Sequence, residues 1–297
     1  MASRAPRYVL MGLGAAVLLW AGFGSLHRSR PLHHAEWLSV DGVSLRAVRA
    51  GRGDTTLIFL HGYGESLLAW RFLLDRFAQR YRVLAIDLPG FGMSGIPDGP
   101  HSYTAYQQWL DDLITRQTRG PLVVVGHSLG GQLAAGLALA HPERVVAAVL
   151  IAPAGAGISP LLSDSAGIAS PATQWVASAL SYVLPIHDSA WLIEAAIDSA
   201  VRSSSDSPTV QTQRRILEQF DFAAIGDRYR DLHQPVLLIW GRQDPTIPFT
   251  IGERIATLLP CRRFVPLLAL HRPHQTVPDT VAAEMRAFLR HPMCDPK

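Results

Sequence analysis

Gly126-His127-Ser128-Leu129-Gly130 stands between a β-branched apolar run and a run of small residues, and this context decides the fold. Residues 121–125 are typical of a buried strand, and residues 131–140 are typical of a helix. On a tight strand-to-helix turn, glycines two positions either side of a serine remove side chains that would collide. The turn lifts the serine to the edge of a sheet, where the helix N-terminus favours developing negative charge. The pattern predicts a nucleophile elbow with Ser128 as the nucleophile.

Other parts of the chain repeat this alternation of strand and helix. Residues 36–50, with Asp41-Gly42 at their centre, predict a hairpin ahead of them. Strands that are continuous apolar runs are buried on both faces, so we expect an α/β fold with a mostly parallel, doubly wound sheet. The predicted strands are residues 55–60, 81–87, 121–125, 144–152, 235–240 and 263–268, and the predicted helices are residues 66–80, 103–117, 131–140, 249–259 and 281–289.

The alternation breaks between residues 154 and 231, where strand patterns are absent and loosely amphipathic segments take their place. These segments are residues 175–184, 191–201 and 211–222. Because the alternation then resumes, we expect one catalytic domain over residues 36–290, interrupted by a helical cap at 154–231. The cap is expected at the carboxyl ends of the strands, where ligands bind in α/β folds.

The N-terminus carries a separate signal. Residues 8–26 contain no charged side chain, and arginines flank both ends of this segment. We expect residues 1–30 to form a single membrane-anchoring helix. The alternative is a signal peptide cleaved near Gly22-Phe23-Gly24, after which the domain would be exported. Arginines on both sides leave the orientation in the membrane undetermined.

Composition excludes several classes of function. The chain has 297 residues and a net charge of only +3, with scattered arginines, so nucleic-acid binding is not expected. The two cysteines, Cys261 and Cys294, make neither a disulfide framework nor a metal site. We expect two free thiols, although a single bridge is possible if the domain lies outside the cytosol. The expected chemistry requires no metal or organic cofactor, and nothing in the sequence indicates an oligomeric state.

A serine hydroxyl needs a neighbouring base, and the base needs an acid to orient it. Asp244 directly follows the strand predicted at 235–240, so its side chain is expected at the carboxyl edge. His271 follows the last predicted strand, and His274 comes three positions later. Position along the chain favours His271 as the base, with His274 as the alternative. For the oxyanion, we expect the backbone N–H groups of Leu129 and Tyr63.

These motifs resemble those of the α/β-hydrolase superfamily, in the serine-nucleophile branch with a helical cap. The resemblance implies a Ser128–His271–Asp244 triad, with Tyr63 and Leu129 as oxyanion donors. The sequence departs from the family at Leu270, where glycine is usual, and at Thr276, where glutamate is common. The matching stretches are His61-Gly62-Tyr63-Gly64, residues 87–95, Gly126 to Gly131, Gly241-Arg242-Gln243-Asp244, and His271 followed by Pro278.

Serine at the elbow sets this chain apart from epoxide hydrolases and haloalkane dehalogenases, which it resembles overall but which carry aspartate there. The expected function is hydrolysis of carboxylic esters through an acyl-enzyme. The apolar cap and the N-terminal segment favour lipid esters such as acylglycerols among the small-molecule substrates. The alternatives are carbon–carbon bond hydrolysis of vinylogous diketones by the same triad, acyl transfer to an acceptor other than water, and a non-catalytic binding module on a hydrolase scaffold.

Overall fold

A computed structural model describes residues 35–156, 208–292 and 294 of the chain. The predicted anchor at 1–30 and the predicted cap segments 175–184 and 191–201 lie outside the described residues. Within the described residues, no helix is long and apolar enough to cross a membrane. The strands are β1 (Glu36–Val40), β2 (Val43–Ala50), β3 (Thr56–Leu60), β4 (Arg82–Ile86), β5 (Leu122–His127), β6 (Val145–Ile151), β7 (Val236–Gly241) and β8 (Arg262–Leu267). The helices are α1 (Leu74–Ala78), α2 (Tyr103–Gln117), α3 (Ser128–Ala140), α4 (Pro208–Gln219), α5 (Phe249–Leu258), α6 (Pro273–Thr276) and α7 (Pro278–Arg290).

The strands form one sheet in the order β1-β2-β4-β3-β5-β6-β7-β8. The hairpin β1–β2 is antiparallel, and β2 is antiparallel to β4. Every other pairing is parallel. The predicted mostly parallel sheet is therefore confirmed, and the parallel part places the carboxyl ends of β3, β5 and β7 at one edge.

Helices cover both faces of the sheet, and β5 shows why its sequence is apolar throughout. Val124 packs on one face, in the same cluster as Leu110 of α2 and Leu133 of α3. Val123 and Val125 point to the opposite face, in a cluster that includes Phe288 of α7. Successive strand residues face opposite sides, so a strand between two helical layers needs apolar side chains at every position. Each large side chain buried in this way stabilises the fold by about 1.5–3 kcal/mol.

The prediction of a single helix over residues 66–80 is wrong. The structure has a 3₁₀ turn at Leu67–Trp70, followed by the short helix α1. Leu67, Leu68, Ala69 and Trp70 are all completely buried. An amphipathic α-helix buries one face only, so four consecutive buried residues do not fit one. The tighter turn begins at Ser66, whose hydroxyl accepts from the backbone N–H of Leu68 at 3.4 Å.

Cys261 and Cys294 form a disulfide, with their Cα atoms 4.7 Å apart. The expectation of two free thiols is therefore wrong. Cys261 directly precedes β8, at the amino edge of the sheet, and α7 runs back to that edge. The hydroxyl of Tyr81, just before β4, donates a hydrogen bond to the carbonyl of Leu289 at 3.4 Å. This contact places the end of α7 at the amino edge. The return of the last helix brings the two cysteines together.

The strands β6 and β7 are neighbours in the sheet, although residues 152–235 separate them in the sequence. Their parallel pairing extends to Ile151 and Ile239, and Ala152 donates a backbone hydrogen bond to Ile239 at 2.9 Å. Helix α4 belongs to this intervening stretch and overlaps the helical segment predicted at 211–222. It lies over the carboxyl-edge loops, since a side chain on Gly90 would meet the Thr212 side chain.

Candidate active site

The turn between β5 and α3 places Ser128 in a backbone conformation that few non-glycine residues adopt. Ser128 has φ +51°, in the left-handed region, and it is 4% exposed. A Cβ atom on Gly126 would collide with the carbonyl of Gly130, and one on Gly130 would collide with the carbonyl of Leu60. Both collisions are with backbone, which cannot move aside. The two glycines therefore have the steric role that the sequence pattern predicts, and the strained turn presents the serine at the carboxyl edge.

Asp244 follows β7 and reaches His271, which follows β8. Its Oδ2 atom lies 2.7 Å from Nδ1 of His271. Its Oδ1 atom accepts backbone hydrogen bonds from Thr246 at 2.8 Å and Ile247 at 2.9 Å. These backbone donors fix the carboxylate, and the carboxylate accepts a hydrogen bond from the Nδ1–H group of the imidazole. Nε2 of His271 is then the nitrogen with the free lone pair, as a base requires.

Burial governs the charge on His271, whose side chain is 13% exposed. Burial lowers the pKa of His271 below its ordinary value. The hydrogen bond that His271 donates to Asp244 opposes this effect, and the nearby His127 adds to it. The ring is therefore neutral near pH 7, which is the state in which it can accept a proton.

His274, the alternative base in the sequence analysis, lies in a different environment. It is completely buried, with its ring 4.6 Å from the ring of Trp70 and 4.5 Å from that of His127. Burial lowers the pKa of His274 well below its ordinary value. Within the described residues, the histidine that hydrogen-bonds Asp244 is His271. The geometry thus separates two histidines that the sequence leaves as alternatives.

The two expected oxyanion donors lie on loops at the same edge of the sheet. Leu129 is in the first turn of α3, where backbone N–H groups have no acceptor within the helix. Tyr63 lies in the loop after β3, and its ring packs edge-on against Phe91 with centroids 5.7 Å apart. The Tyr63 hydroxyl donates to the carbonyl of Gln213 on α4 at 3.0 Å, so this loop is tied to the segment above the edge.

Sequence analysis missed a buried polar cluster behind these residues. Glu65 is 2% exposed, and four N–H donors contact its carboxylate, three through hydrogen bonds and Arg272 through an ion pair. The donors are Gly62 N at 2.8 Å, His127 Nδ1 at 3.0 Å, Arg272 Nε at 2.8 Å and Gln275 Nε2 at 3.1 Å. The sequence does carry one signal, because Glu65 is a charged residue two positions before the apolar run that begins at Leu67.

Three residues of this region have the side-chain types of a metal centre. Glu65, His127 and His274 place one ligand atom each within 4.8 Å of one another, a spacing that would suit a metal ion. The carboxylate, however, is already occupied by its four donors, and the guanidinium of Arg272 among them would repel a cation. The chemistry of the donor set therefore favours a hydrogen-bonded cluster over a metal site.

Comparison with known proteins adds the family. A family model described as the alpha/beta hydrolase fold matches residues 55–274. Among solved structures, a membrane phospholipase A superposes with a TM-score of 0.73 at 23% identity, covering 95% of this chain and 96% of that one. At this identity, the likeness is one of fold.

Curated relatives include three hydrolase or transferase proteins. A pimeloyl-acyl-carrier-protein methyl ester esterase from Nitrosomonas europaea is 31% identical over 235 residues, covering 75% of this chain and 90% of the relative. A 2-hydroxy-6-oxononadienedioate/2-hydroxy-6-oxononatrienedioate hydrolase from Paraburkholderia phymatum is 28% identical, covering 72% and 79%. The dihydrolipoyllysine-residue acetyltransferase component of an acetoin cleaving system from Cupriavidus necator is 29% identical over 73% of this chain, and the match spans only 59% of that protein.

Proposed function

The chain belongs to the α/β-hydrolase fold family, and we propose that it is a serine hydrolase that cleaves carboxylic esters. The observation that carries this proposal is the 2.7 Å contact between Asp244 and His271, at the same sheet edge as Ser128 on its strained turn. The esterase relative from Nitrosomonas europaea supports ester substrates.

In the proposed mechanism, Nε2 of His271 removes the proton from the Ser128 hydroxyl as its oxygen attacks the ester carbonyl. Asp244 holds the imidazole in the required tautomer and stabilises the imidazolium that forms. The backbone N–H groups of Leu129 and Tyr63 donate to the oxyanion of the tetrahedral intermediate. His271 then gives its proton to the leaving alcohol, and a water molecule hydrolyses the acyl-enzyme by the same steps.

Labelling with a fluorophosphonate tests this proposal, because the probe reacts with activated serines. We expect labelling of the wild-type protein, and its loss in Ser128→Ala and His271→Ala. His274→Asn serves as the matched control, since it alters a buried histidine of the same loop that does not contact Asp244. Labelling that persists in Ser128→Ala, or no labelling of a folded wild-type protein, would reject the proposal.

Carbon–carbon bond hydrolysis is the second candidate, and the relative from Paraburkholderia phymatum favours it. The substrate in that relative's name contains no ester, so its hydrolysis must break a carbon–carbon bond. The fluorophosphonate does not separate the two candidates. Parallel assays with p-nitrophenyl esters and with a 2-hydroxy-6-oxo-dienoate do so, because a carbon–carbon hydrolase would turn over the dienoate with little esterase activity.

For localisation, we propose that residues 8–26 tether the domain to a membrane, with the domain on the oxidising side. The 19 residues of this segment carry no charge. The Cys261–Cys294 disulfide supports the oxidising side, because such bonds persist outside the cytosol. Alkaline extraction of membranes separates the tether from the alternative, since a protein exported after signal-peptide cleavage would be released.

A further inference from the structure

Glu65 connects three of the four loops that carry the proposed catalytic groups. Gly62 belongs to the loop of the expected oxyanion donor Tyr63, and its N–H donates to Glu65 Oε2. His127 is the residue before Ser128, and it contacts the same oxygen. Arg272 and Gln275 follow His271, and both donate to Oε1. A single buried carboxylate therefore links the oxyanion loop, the elbow and the histidine loop.

Both ring nitrogens of His127 have hydrogen-bond partners. Its Nε2 atom lies 3.0 Å from the carbonyl oxygen of His271, and its Nδ1 atom lies 3.0 Å from Oε2 of Glu65. A carbonyl oxygen only accepts hydrogen bonds, so Nε2 must carry a proton. An ionised carboxylate also only accepts, so Nδ1 must carry one as well. With Glu65 ionised, the two contacts are those of an imidazolium, in which both ring nitrogens donate.

The surroundings of Glu65 support its ionised form. Burial alone would raise the pKa of this carboxyl, but the charges of His127 and Arg272 and the hydrogen bond from His127 hold the pKa well below its ordinary value. The N–H groups of Gly62, Gln275 and Arg272 can only donate, so three of the four contacts also favour a carboxylate that accepts.

We propose that the buried Glu65–His127 ion pair is a positioning device for His271: the imidazolium of His127 holds the His271 carbonyl and keeps the adjacent His271 ring neutral. The inference rests on the proposed function, because it assigns a task to residues around the base of that reaction. Neither Glu65 nor His127 is placed in contact with the substrate.

The electrostatic part follows from the short distance between the two rings. The centroids of His127 and His271 lie 4.7 Å apart, so a charge on His127 opposes a second charge on His271. The other groups around the His127 and His271 rings are the anions Glu65 and Asp244, the cation Arg272, and His274, which burial keeps neutral. Replacing His127 by a neutral residue removes a cation and leaves both anions, so protonation of His271 becomes easier. Two unit charges about 5 Å apart, even with the screening of water, change the pKa by at least about half a unit.

Histidine-selective ¹⁵N NMR tests the pairing without any requirement for activity. The chemical shifts of ring nitrogens distinguish an imidazolium from either neutral tautomer. We expect His127 to be doubly protonated at pH 7 in the full-length protein, and the His271 ring to titrate at least about half a unit higher in His127→Asn than in the wild type. Glu65→Gln is the second variant, in which His127 should become neutral. His274→Asn is the matched control, because it removes a buried neutral histidine and should leave the His271 titration unchanged.

Kinetics then connect the pairing to catalysis. For p-nitrophenyl acetate, we expect the acid limb of kcat/KM in His127→Asn to move to higher pH with the His271 titration, and kcat to fall about tenfold or more with little change in KM. A neutral His127 in the wild type, or an unchanged His271 titration in a folded His127→Asn, would overturn the inference. Absence of Ser128 labelling in the wild type would reject the proposed function instead, while the NMR result would still decide the state of His127.

Discussion

Nδ1 of His271 lies 2.7 Å from Oδ2 of Asp244, although the two residues are 27 positions apart in the sequence. The neighbouring parallel strands β7 and β8 make this contact possible, because each residue follows the carboxyl end of its strand. The backbone donors of Thr246 and Ile247 leave the carboxylate a single orientation. This geometry leads directly to a test by substitution.

Asp244→Asn should lower kcat/KM for p-nitrophenyl esters by about 10³- to 10⁴-fold. An amide can donate to Nδ1 of His271, which favours the tautomer with its proton on Nε2, where the base needs a lone pair. Asp227→Asn is the control, because Asp227 is an exposed partner of Arg254 and should be replaceable without loss of activity. A loss of less than about tenfold in Asp244→Asn would show that this carboxylate does not orient the base.

The pH dependence of kcat/KM should follow the neutral form of His271. Burial lowers the pKa of His271, so the neutral base is present above that lowered pKa and is lost as the pH falls through it. The midpoint of the acid limb is therefore expected below about 6.5, the ordinary value for histidine. A pH–rate profile from pH 4 to 8, with folding checked by circular dichroism at each pH, measures it. An acid limb centred above 7 would contradict this prediction.

Gly130→Ala should destabilise the fold severely, because its methyl group would collide with the carbonyls of Leu60 and His61. We expect the free energy of unfolding to fall by about 3 kcal/mol or more, in urea denaturation. Gly42→Ala is the comparison, since the space around that hairpin glycine is open and only its positive φ opposes a side chain. That variant should lose about 1–2 kcal/mol. Equal losses would show that the elbow can relax.

Removal of the disulfide should lower stability without altering the active-site geometry. The Cys261–Cys294 bond closes a loop with a sequence separation of 33, for which chain entropy predicts a loss of roughly 3–4 kcal/mol in a Cys261→Ser/Cys294→Ser variant. Urea denaturation of the oxidised wild type and of the double variant measures the difference. Dithiothreitol should destabilise the wild type and have no effect on the variant. A dithiothreitol effect on both would assign the loss to another cause.

The sequence was sufficient for the parallel sheet and the elbow, because both depend on local patterns. The valines of residues 123–125 reveal a strand buried on two sides, and Gly126 and Gly130 reveal the tight turn. The helix predicted at 66–80 is wrong because packing against other parts of the chain overrides the local pattern. Leu67, Leu68, Phe72, Leu73 and Phe77 match helical spacing. Tertiary packing, however, buries four consecutive residues, Leu67 to Trp70, and favours a tighter turn.

Features that depend on distant contacts were beyond the sequence. Position along the chain favours His271 over His274, but it is the contact with Asp244 in space that separates them. The pairing of Cys261 with Cys294 depends on the path of α7 back across the sheet. The contacts of Glu65 could not be predicted from the sequence either, because its partners lie on three loops that come together only at the carboxyl edge.

Because β6 pairs directly with β7, the scaffold does not depend on the residues between these two strands. Those residues can therefore change the choice of substrate without changing the sheet. The sheet holds the two ends of the intervening stretch at Ile151 and Val236, whatever residues join them. The entropic cost of closing such a connection rises only with the logarithm of its length, so insertions of very different size are tolerated there. Evolution can therefore exchange this stretch as a replaceable module, while Ser128, Asp244 and His271 keep their places after the carboxyl ends of strands whose register does not change.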